Sequence, residues 1–151
     1  MSDSRRLFDI REDGIILSIK DVHWRRIQAG TKTVEVRKTI PFMWDIFRTK
    51  HGHMRCYCYV SGTGLVHGYI DVDRIVKTNN PQSLAVRAML TDADLKQYGT
   101  NPHGFLYGLF ICREHTFEKP VPLELLGIKK APQSWCYYKA AKSQTVGNLD
   151  N

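Results

Sequence analysis

The alternation of apolar and polar residues predicts a chain built mostly of strands. Gly14–Ile19 is a short apolar run that predicts a buried strand, and Asp21 can then cap a helix that ends near Gly30. In Thr33–Lys38, valines alternate with charged residues, which predicts a strand with one apolar and one charged face. That charged face must contact water or line a site.

A β-hairpin is predicted in the middle of the chain. Met54–Val60 and Leu65–Val76 are both rich in β-branched and aromatic residues, and four small or polar residues separate them. Strict alternation on the second strand places Val66 and Ile70 on one face and Tyr69 on the other.

Two short helices are expected between this hairpin and a late strand. An Asn-Pro pair predicts a helix over residues 80–89, and the capping box Thr91-x-x-Asp94 predicts a second helix that ends at Gly99. Gly104–Glu114 then has the pattern of a strong strand.

A last short strand is predicted at Ser134–Tyr138. The fold class is therefore α+β: about six mostly antiparallel strands curled into a barrel and flanked by short helices. We expect one domain over residues 14–141, preceded by a polar extension, 1–13, and followed by a flexible polar tail, 142–151.

Composition and charge narrow the class of protein. The chain has 151 residues, of which 42% are hydrophobic, enough for one domain with its own core. Its formal charge of +7 favours polyanionic partners. The N-terminal stretch lacks the apolar segment of a secretory signal, and no apolar run approaches the length of a membrane span. We expect a cytoplasmic protein without a membrane partner.

Two histidines and two cysteines lie close together in the sequence, as His51-x-His53 and Cys56-x-Cys58. Such a set can close a tetrahedral zinc site. The C-x-C spacing in a strand instead puts both sulfurs on one face, as core cysteines do, and zinc knuckles use a longer spacing. We predict reduced core thiols, no metal and no cofactor.

Four segments in order resemble one family. Gly30-Thr31-Lys32-Thr33-Val34-Glu35-Val36-Arg37 matches the G-x-K-x-x-E-x-R signature of the ASCH domain in the PUA-like superfamily. Leu17–Lys20 is similar to the family's S-I-K start, Gly68–Asp73 to its second hairpin strand, and Ala131–Tyr137 to its late P-P-Q-S-aromatic-x-Y segment. The resemblance covers about Gly14 to Tyr138. It implies a PUA-like β-barrel with a cleft, in a family associated with RNA binding, RNA-linked regulation and, in some members, hydrolysis.

The signature motif supplies the central candidate residues. Glu35 and Arg37 project from the same strand face about 7 Å apart, with Lys32 at the turn before them. A lysine and an arginine can hold a phosphate or a polarised carbonyl, and a carboxylate beside them can orient the cations or accept a proton. The alternative is an exposed Glu35–Arg37 pair of small energetic value.

Further candidates surround this motif. Lys20 matches the family's early lysine, and its alternative is a solvated surface residue. Ser134 and Trp135 offer a hydroxyl and a stacking ring in a segment that the resemblance places at the cleft, although Trp135 equally suits the core. Trp44 lies among basic residues and can stack on a base or plug the core, and the resemblance puts Tyr98 near the cleft rim.

The leading functional hypothesis is an RNA-binding module that holds a nucleotide or single-stranded RNA in a basic cleft. The alternative is a metal-independent hydrolase of RNA or a modified nucleoside, with Lys32 and Glu35 as its catalytic pair. Some relatives are N4-acetylcytidine amidohydrolases that use a lysine and a threonine three residues later, a position that Glu35 occupies here. A protein-interaction module with a vestigial cleft is the third class, and the sequence indicates no particular protein partner or oligomeric state.

Overall fold

A computed structural model of the protein describes residues 7–42, 44 and 52–140. Its elements follow the sequence pattern closely. In chain order they are β1 (Gly14–Ile19), α1 (Asp21–Gln28), β2 (Val34–Arg37), β3 (Met54–Val60), β4 (Leu65–Thr78), a 3₁₀ turn (Pro81–Leu84), α2 (Ala85–Ala88), α3 (Asp92–Tyr98), β5 (Leu106–Pro122), a second 3₁₀ turn (Leu123–Leu126) and β6 (Trp135–Tyr138).

The six strands form one sheet in the order β2-β5-β4-β3-β1-β6. β1 and β3 are parallel, and the other neighbouring pairs are antiparallel. The predicted α+β class with six mostly antiparallel strands is confirmed. Main-chain ladders do not close the predicted barrel in the described part of the chain, where β2 and β6 are the edge strands. Each of these edges is only four residues long, and side chains bridge them instead.

Three apolar clusters cover the sheet. The first packs α1, through Trp24 and Ile27, against alternate residues of β1, β3 and β4. The second lies on the other face of β1 and includes Ile10, from the described part of the N-terminal extension. The third packs β2 against the segment from Leu84 to Leu95. Alternation along each strand therefore gives the sheet two apolar faces, and none of the described helices is long and apolar enough to cross a membrane.

Local differences from the predictions have physical causes. Asp21 is the first helical residue of α1 and Lys20 is the N-cap, so the Asp21 carboxylate stabilises the positive end of the helix instead of capping it. A β-bulge between Val66 and Gly68 shifts the register. It moves Val66 into the second cluster beside Tyr69, on the face opposite to Ile70.

The capping box of α3 is confirmed in full. Thr91 Oγ1 accepts a hydrogen bond from the Asp94 amide, and Asp94 accepts one from the Thr91 amide. The preceding helical segment ends earlier than a regular helix would, because Met89 adopts a left-handed conformation with φ of 56°. This turn brings the carbonyl of Ala88 toward the start of β2, where it accepts a hydrogen bond from Lys32 Nζ.

Candidate functional site

The two edges of the sheet meet at a seam formed by side chains. Arg37, the last residue of β2, donates from Nη2 to the carbonyl oxygen of Ser18 on β1, at 2.8 Å. Its Nη1 donates to the carbonyl oxygen of Ser134, at 3.1 Å, immediately before β6. The Trp135 indole donates to Oγ1 of Thr39, at 3.0 Å. We call these five residues the seam; they bring the signature motif and the late motif together.

Beneath the seam, Lys32, Glu35 and Arg37 form a buried ion cluster. Their residue exposures are 2%, 5% and 7%. Glu35 Oε2 lies 2.7 Å from Arg37 Nη2 and accepts from Arg37 Nε at 2.8 Å, and Glu35 Oε1 lies 3.5 Å from Lys32 Nζ. The charged face predicted for this strand is therefore shielded from open solvent. Its charges partner one another inside the protein.

The hydrogen bonds of Arg37 account for its whole guanidinium. Nε donates to Glu35, and Nη2 donates to Ser18 and forms an ion pair with Glu35 Oε2. Nη1 donates to the carbonyl and the hydroxyl of Ser134. These contacts engage all three nitrogens of the guanidinium, which carry its five N–H donors. Arg37 thus holds Glu35 and ties the sheet edges together. Lys32 is similarly anchored, because its Nζ donates to the Ala88 carbonyl at 2.6 Å.

Burial and charge set the protonation of the cluster. Burial by itself would raise the pKa of Glu35, but Arg37 and then Lys32 outweigh it and hold that pKa below its usual value. For Lys32 the balance is reversed: burial lowers its pKa, and the attraction of Glu35 offsets that only in part. Glu35 is therefore an ionised carboxylate at neutral pH. With Lys32 protonated, the cluster carries a net charge of +1.

Sequence reasoning missed His23, which lies on α1 beside the ion cluster. Burial, and next the charge of Lys32, lower its pKa, while Glu35 acts in the opposite direction. Its Nδ1 is buried and has no hydrogen-bond partner among the described residues. The only available signal was its place in the helix one residue before the buried Trp24, and such a position is usually taken as half-exposed surface.

Two aromatic rings flank the end of β2. Tyr98, 38% exposed, lies near enough to Arg37 to interact with its charge, and Lys38 Nζ is 4.8 Å from the centre of its ring. Trp135, which bonds Thr39 just after β2, is half-buried and contacts Tyr137 edge to face, with the ring centres 5.1 Å apart. Tyr98, Ser134 and Trp135 therefore gather around the ion cluster.

Lys20 and Trp44 occupy more peripheral positions. Lys20 is exposed at the start of α1, near enough to contribute to the lowered pKa of His23. Trp44 is half-buried and packs against the first apolar cluster. Its basic neighbours Arg48 and Lys50 lie outside the described residues.

The cysteines of the C-x-C pair are buried core residues. Both Sγ atoms donate to backbone carbonyls, and burial raises the pKa of each thiol. His51 lies outside the described residues. Within the described ranges, no three histidine, cysteine or acidic side chains are grouped to hold a metal ion.

Comparison with known proteins identifies the fold. The structure of the ASCH protein from Zymomonas mobilis superposes with a TM-score of 0.69 at 20% sequence identity, covering 93% of this chain and 96% of that one. A serine-to-alanine variant of that protein gives 0.68 at 20% identity, over 93% and 97% of the chains. Its tyrosine-to-phenylalanine variant gives 0.68 at 19% identity, over 90% and 97%. No family model and no curated protein matches the sequence.

The chain thus has the fold of an ASCH domain. The resemblance found in the four sequence motifs is confirmed at the level of the fold. A shared fold does not fix a function, so the function must be argued from the seam and the ion cluster.

Proposed function

We propose that this protein binds single-stranded RNA, or a nucleotide within it, at the seam. The observation that carries the proposal is the buried ion cluster of Lys32, Glu35 and Arg37, which has one excess positive charge when Lys32 is protonated. It lies at a gap between sheet edges, with Tyr98 and Trp135 nearby. A positive field with aromatic rings at its border suits a ligand that combines phosphate with flat bases.

The energetics of the cluster favour a functional role. Removing an ion from water costs several kcal/mol even after relaxation, and well-packed apolar residues often replace buried ion pairs without loss of stability. Three charges buried together on an edge strand are therefore a poor device for stability alone. Groups whose pKa is displaced by burial and by specific partners concentrate at functional sites.

The hydrogen bonding of Arg37 determines which groups reach the ligand. Because all three of its guanidinium nitrogens already have partners inside the protein, Arg37 acts through its charge and through Ser134, whose Oγ lies 3.3 Å from Nη1. A hydroxyl that accepts from a guanidinium can still donate its own proton, so Ser134 is the group that contacts a phosphate or base oxygen. Tyr98 and Trp135 supply the stacking surfaces.

Binding of a labelled eight-nucleotide RNA, followed by fluorescence anisotropy, tests the proposal. Tyr98→Leu and Trp135→Leu should each weaken binding about 5- to 150-fold, because one stacked base contributes about 1–3 kcal/mol. The affinity should also fall with salt, with a log–log slope near −0.7 for each phosphate neutralised.

The matched control is Phe8→Leu. Phe8 is an exposed ring with the Arg11 guanidinium 3.9 Å from its centre. Like Tyr98 with Lys38, it is a ring with a cation above it, but it lies away from the seam. This variant should bind RNA like the unaltered protein. The proposal fails if RNA binds no better than to an acidic control protein, or if all three variants weaken binding equally.

Hydrolysis of RNA or a modified nucleoside is the second candidate. It is favoured by the lowered pKa of Lys32, since an acid–base lysine needs such a shift. Glu35, with a lowered pKa, suits the role of base and not that of acid. Incubation with single-stranded RNA and with N4-acetylcytidine distinguishes the candidates: product formation that Lys32→Ala and Glu35→Gln both abolish would replace the binding function by hydrolysis.

A further inference from the structure

The register of the sheet extends the seam across two more strands. Arg37 on β2 pairs with Tyr107 on β5, and Tyr107 pairs in turn with Lys77 on β4. Direct register partners share one face of a sheet, so these three side chains form a row on the face that carries the ion cluster. With neighbouring strands about 4.8 Å apart, the row spans about 10 Å.

At the far end of this row, Lys77 forms a cation–ring pair. Its Nζ lies 4.3 Å from the centre of the Phe105 ring. Lys77 is exposed, and the rings of Phe105 and Tyr107 are half-buried. A lysine and a ring of this kind offer a phosphate contact and a stacking surface side by side.

Asn101 fixes this pair relative to the seam. Its side-chain Oδ1 accepts a hydrogen bond from the backbone N–H of Phe105 at 2.9 Å. The backbone N–H of Asn101 donates to the Phe105 carbonyl at 2.9 Å. Its Nδ2 donates to the carbonyl of Lys38, at 3.3 Å, directly after β2. One side chain thus ties the segment that carries Phe105 to the end of the strand that carries Arg37.

We infer that Lys77, Phe105 and Tyr107 form a second nucleotide subsite, so that the ligand is an RNA chain of several nucleotides and not a mononucleotide. The inference rests on the proposed function. About 10 Å corresponds to about three stacked nucleotides at roughly 3.4 Å each, so a strand that begins at the seam reaches Lys77 within three or four nucleotides.

The same two strands provide a matched control on the opposite face. Arg74 on β4 pairs with Phe110 on β5, and its guanidinium lies 4.0 Å from the ring centre. Phe110 packs against the third apolar cluster, away from the ion cluster. Arg74→Ala therefore removes a similar cation–ring pair from a face that the proposed RNA path does not use.

Calorimetric titration with oligouridines of one, two, four and eight nucleotides tests the inference. For the unaltered protein, the affinity should rise at least tenfold between one and four nucleotides and then level off. Lys77→Ala should weaken binding of the four- and eight-nucleotide chains roughly threefold or more and reduce the salt slope by about 0.7, the contribution of one phosphate. It should leave mononucleotide binding unchanged.

The outcomes separate this inference from the proposed function. Equal affinity for one and eight nucleotides would overturn the second subsite and leave binding at the seam intact. An Arg74→Ala effect as large as that of Lys77→Ala would also overturn it. Failure of every length to bind would instead remove the proposed function itself. Urea unfolding of both variants should match that of the unaltered protein, because both side chains are exposed.

Discussion

Two groups of buried charges lie in the same sheet and differ in how completely they are neutralised. In the centre, Arg55 on β3 and Asp71 on β4 are direct register partners. Arg55 Nε donates to Asp71 Oδ1 at 2.9 Å, and Nη2 donates to Oδ2 at 3.1 Å. The guanidinium also lies 3.7 Å from the centre of the Tyr69 ring. This pair is bidentate, neutral overall and enclosed by its own strands.

The ion cluster at the seam is neither neutral nor enclosed by neighbouring strands. Two cations share the carboxylate of Glu35, and the three residues belong to an edge strand and the turn before it. Its remaining hydrogen bonds leave β2 and reach α2, β1 and the segment before β6. Burial of an arginine–carboxylate pair therefore does not by itself mark a site. An uncompensated charge at a gap in the backbone ladder is the distinguishing feature.

Removal of each carboxylate gives the largest expected effect. Breaking a buried ion pair from one side costs about 3–5 kcal/mol, because an uncompensated charge remains. Glu35→Gln leaves two cations and Asp71→Asn leaves one, so Glu35→Gln should lower the free energy of unfolding more. Urea denaturation of both variants measures the difference. A larger cost for Asp71→Asn would mean that the charges at the seam are compensated by other groups.

Replacement of whole charge groups by apolar residues sharpens the same contrast. Exchange of Arg55 for methionine together with Asp71 for leucine should change the free energy of unfolding by less than about 2 kcal/mol, because apolar packing replaces the ion pair. This exchange should leave RNA affinity unchanged. The corresponding exchange of Lys32, Glu35 and Arg37 should abolish RNA binding in a protein that still folds. Circular dichroism establishes folding, and anisotropy measures binding. Retained RNA affinity in the triple variant would contradict the role given to the cluster.

Much of the fold was predictable because local signals and tertiary packing agree. The capping box fixes α3, and the alternation of Val34 and Val36 fixes β2. The partners of β1 were not predictable, because a parallel neighbour and an antiparallel neighbour demand the same buried apolar run. The bulge beside Gly68 was missed for a related reason, because the alternation of apolar and polar residues does not reveal where a strand carries one extra residue.

For the candidate site, the shared strand face of its charged residues was predictable and their burial was not. The same-face geometry of Glu35 and Arg37 follows from strand periodicity alone and is confirmed by their contact. The involvement of Ala88 and Ser134 is not encoded locally, because their carbonyls arrive from segments more than 50 residues away. The place of His23 in the helix, one residue before Trp24, does not distinguish it from half-exposed surface. Its position becomes informative only when α1 is packed on the sheet.

A pair of serine substitutions separates binding from architecture at the seam. Ser134→Ala should weaken RNA binding by about 1 kcal/mol, close to fivefold, because one hydrogen bond to the ligand is lost. Ser18→Ala is its control, since the Ser18 hydroxyl donates to the Pro132 carbonyl inside the protein. This change should lower the free energy of unfolding by about 1 kcal/mol with little change in affinity. Identical effects of the two substitutions on affinity would show that Ser134 acts only by holding the seam together.

The smallest expected effect is a pH dependence that distinguishes His23 from a second histidine. Burial lowers the pKa of His23 and also that of His67, which lies on β4 away from the ion cluster. Just below pH 6.5, each of these two histidines is protonated in the unfolded chain but still neutral in the folded protein. Stability is therefore lost as the pH falls from 6.5 toward the folded pKa, and either His23→Gln or His67→Gln should reduce that loss.

RNA affinity should respond to only one of these two histidines. Protonation of His23 places a further positive charge beside Lys32 and Glu35, so the affinity of the unaltered protein should rise as the pH is lowered from 7.5 through the folded pKa of His23. His23→Gln should flatten this rise, whereas His67→Gln should preserve it, because His67 titrates away from the seam. Anisotropy at constant ionic strength measures both profiles. If the two variants flatten the profile equally, the rise reports the overall charge of the protein, and the contrast between the seam and the rest of the sheet does not extend to protonation.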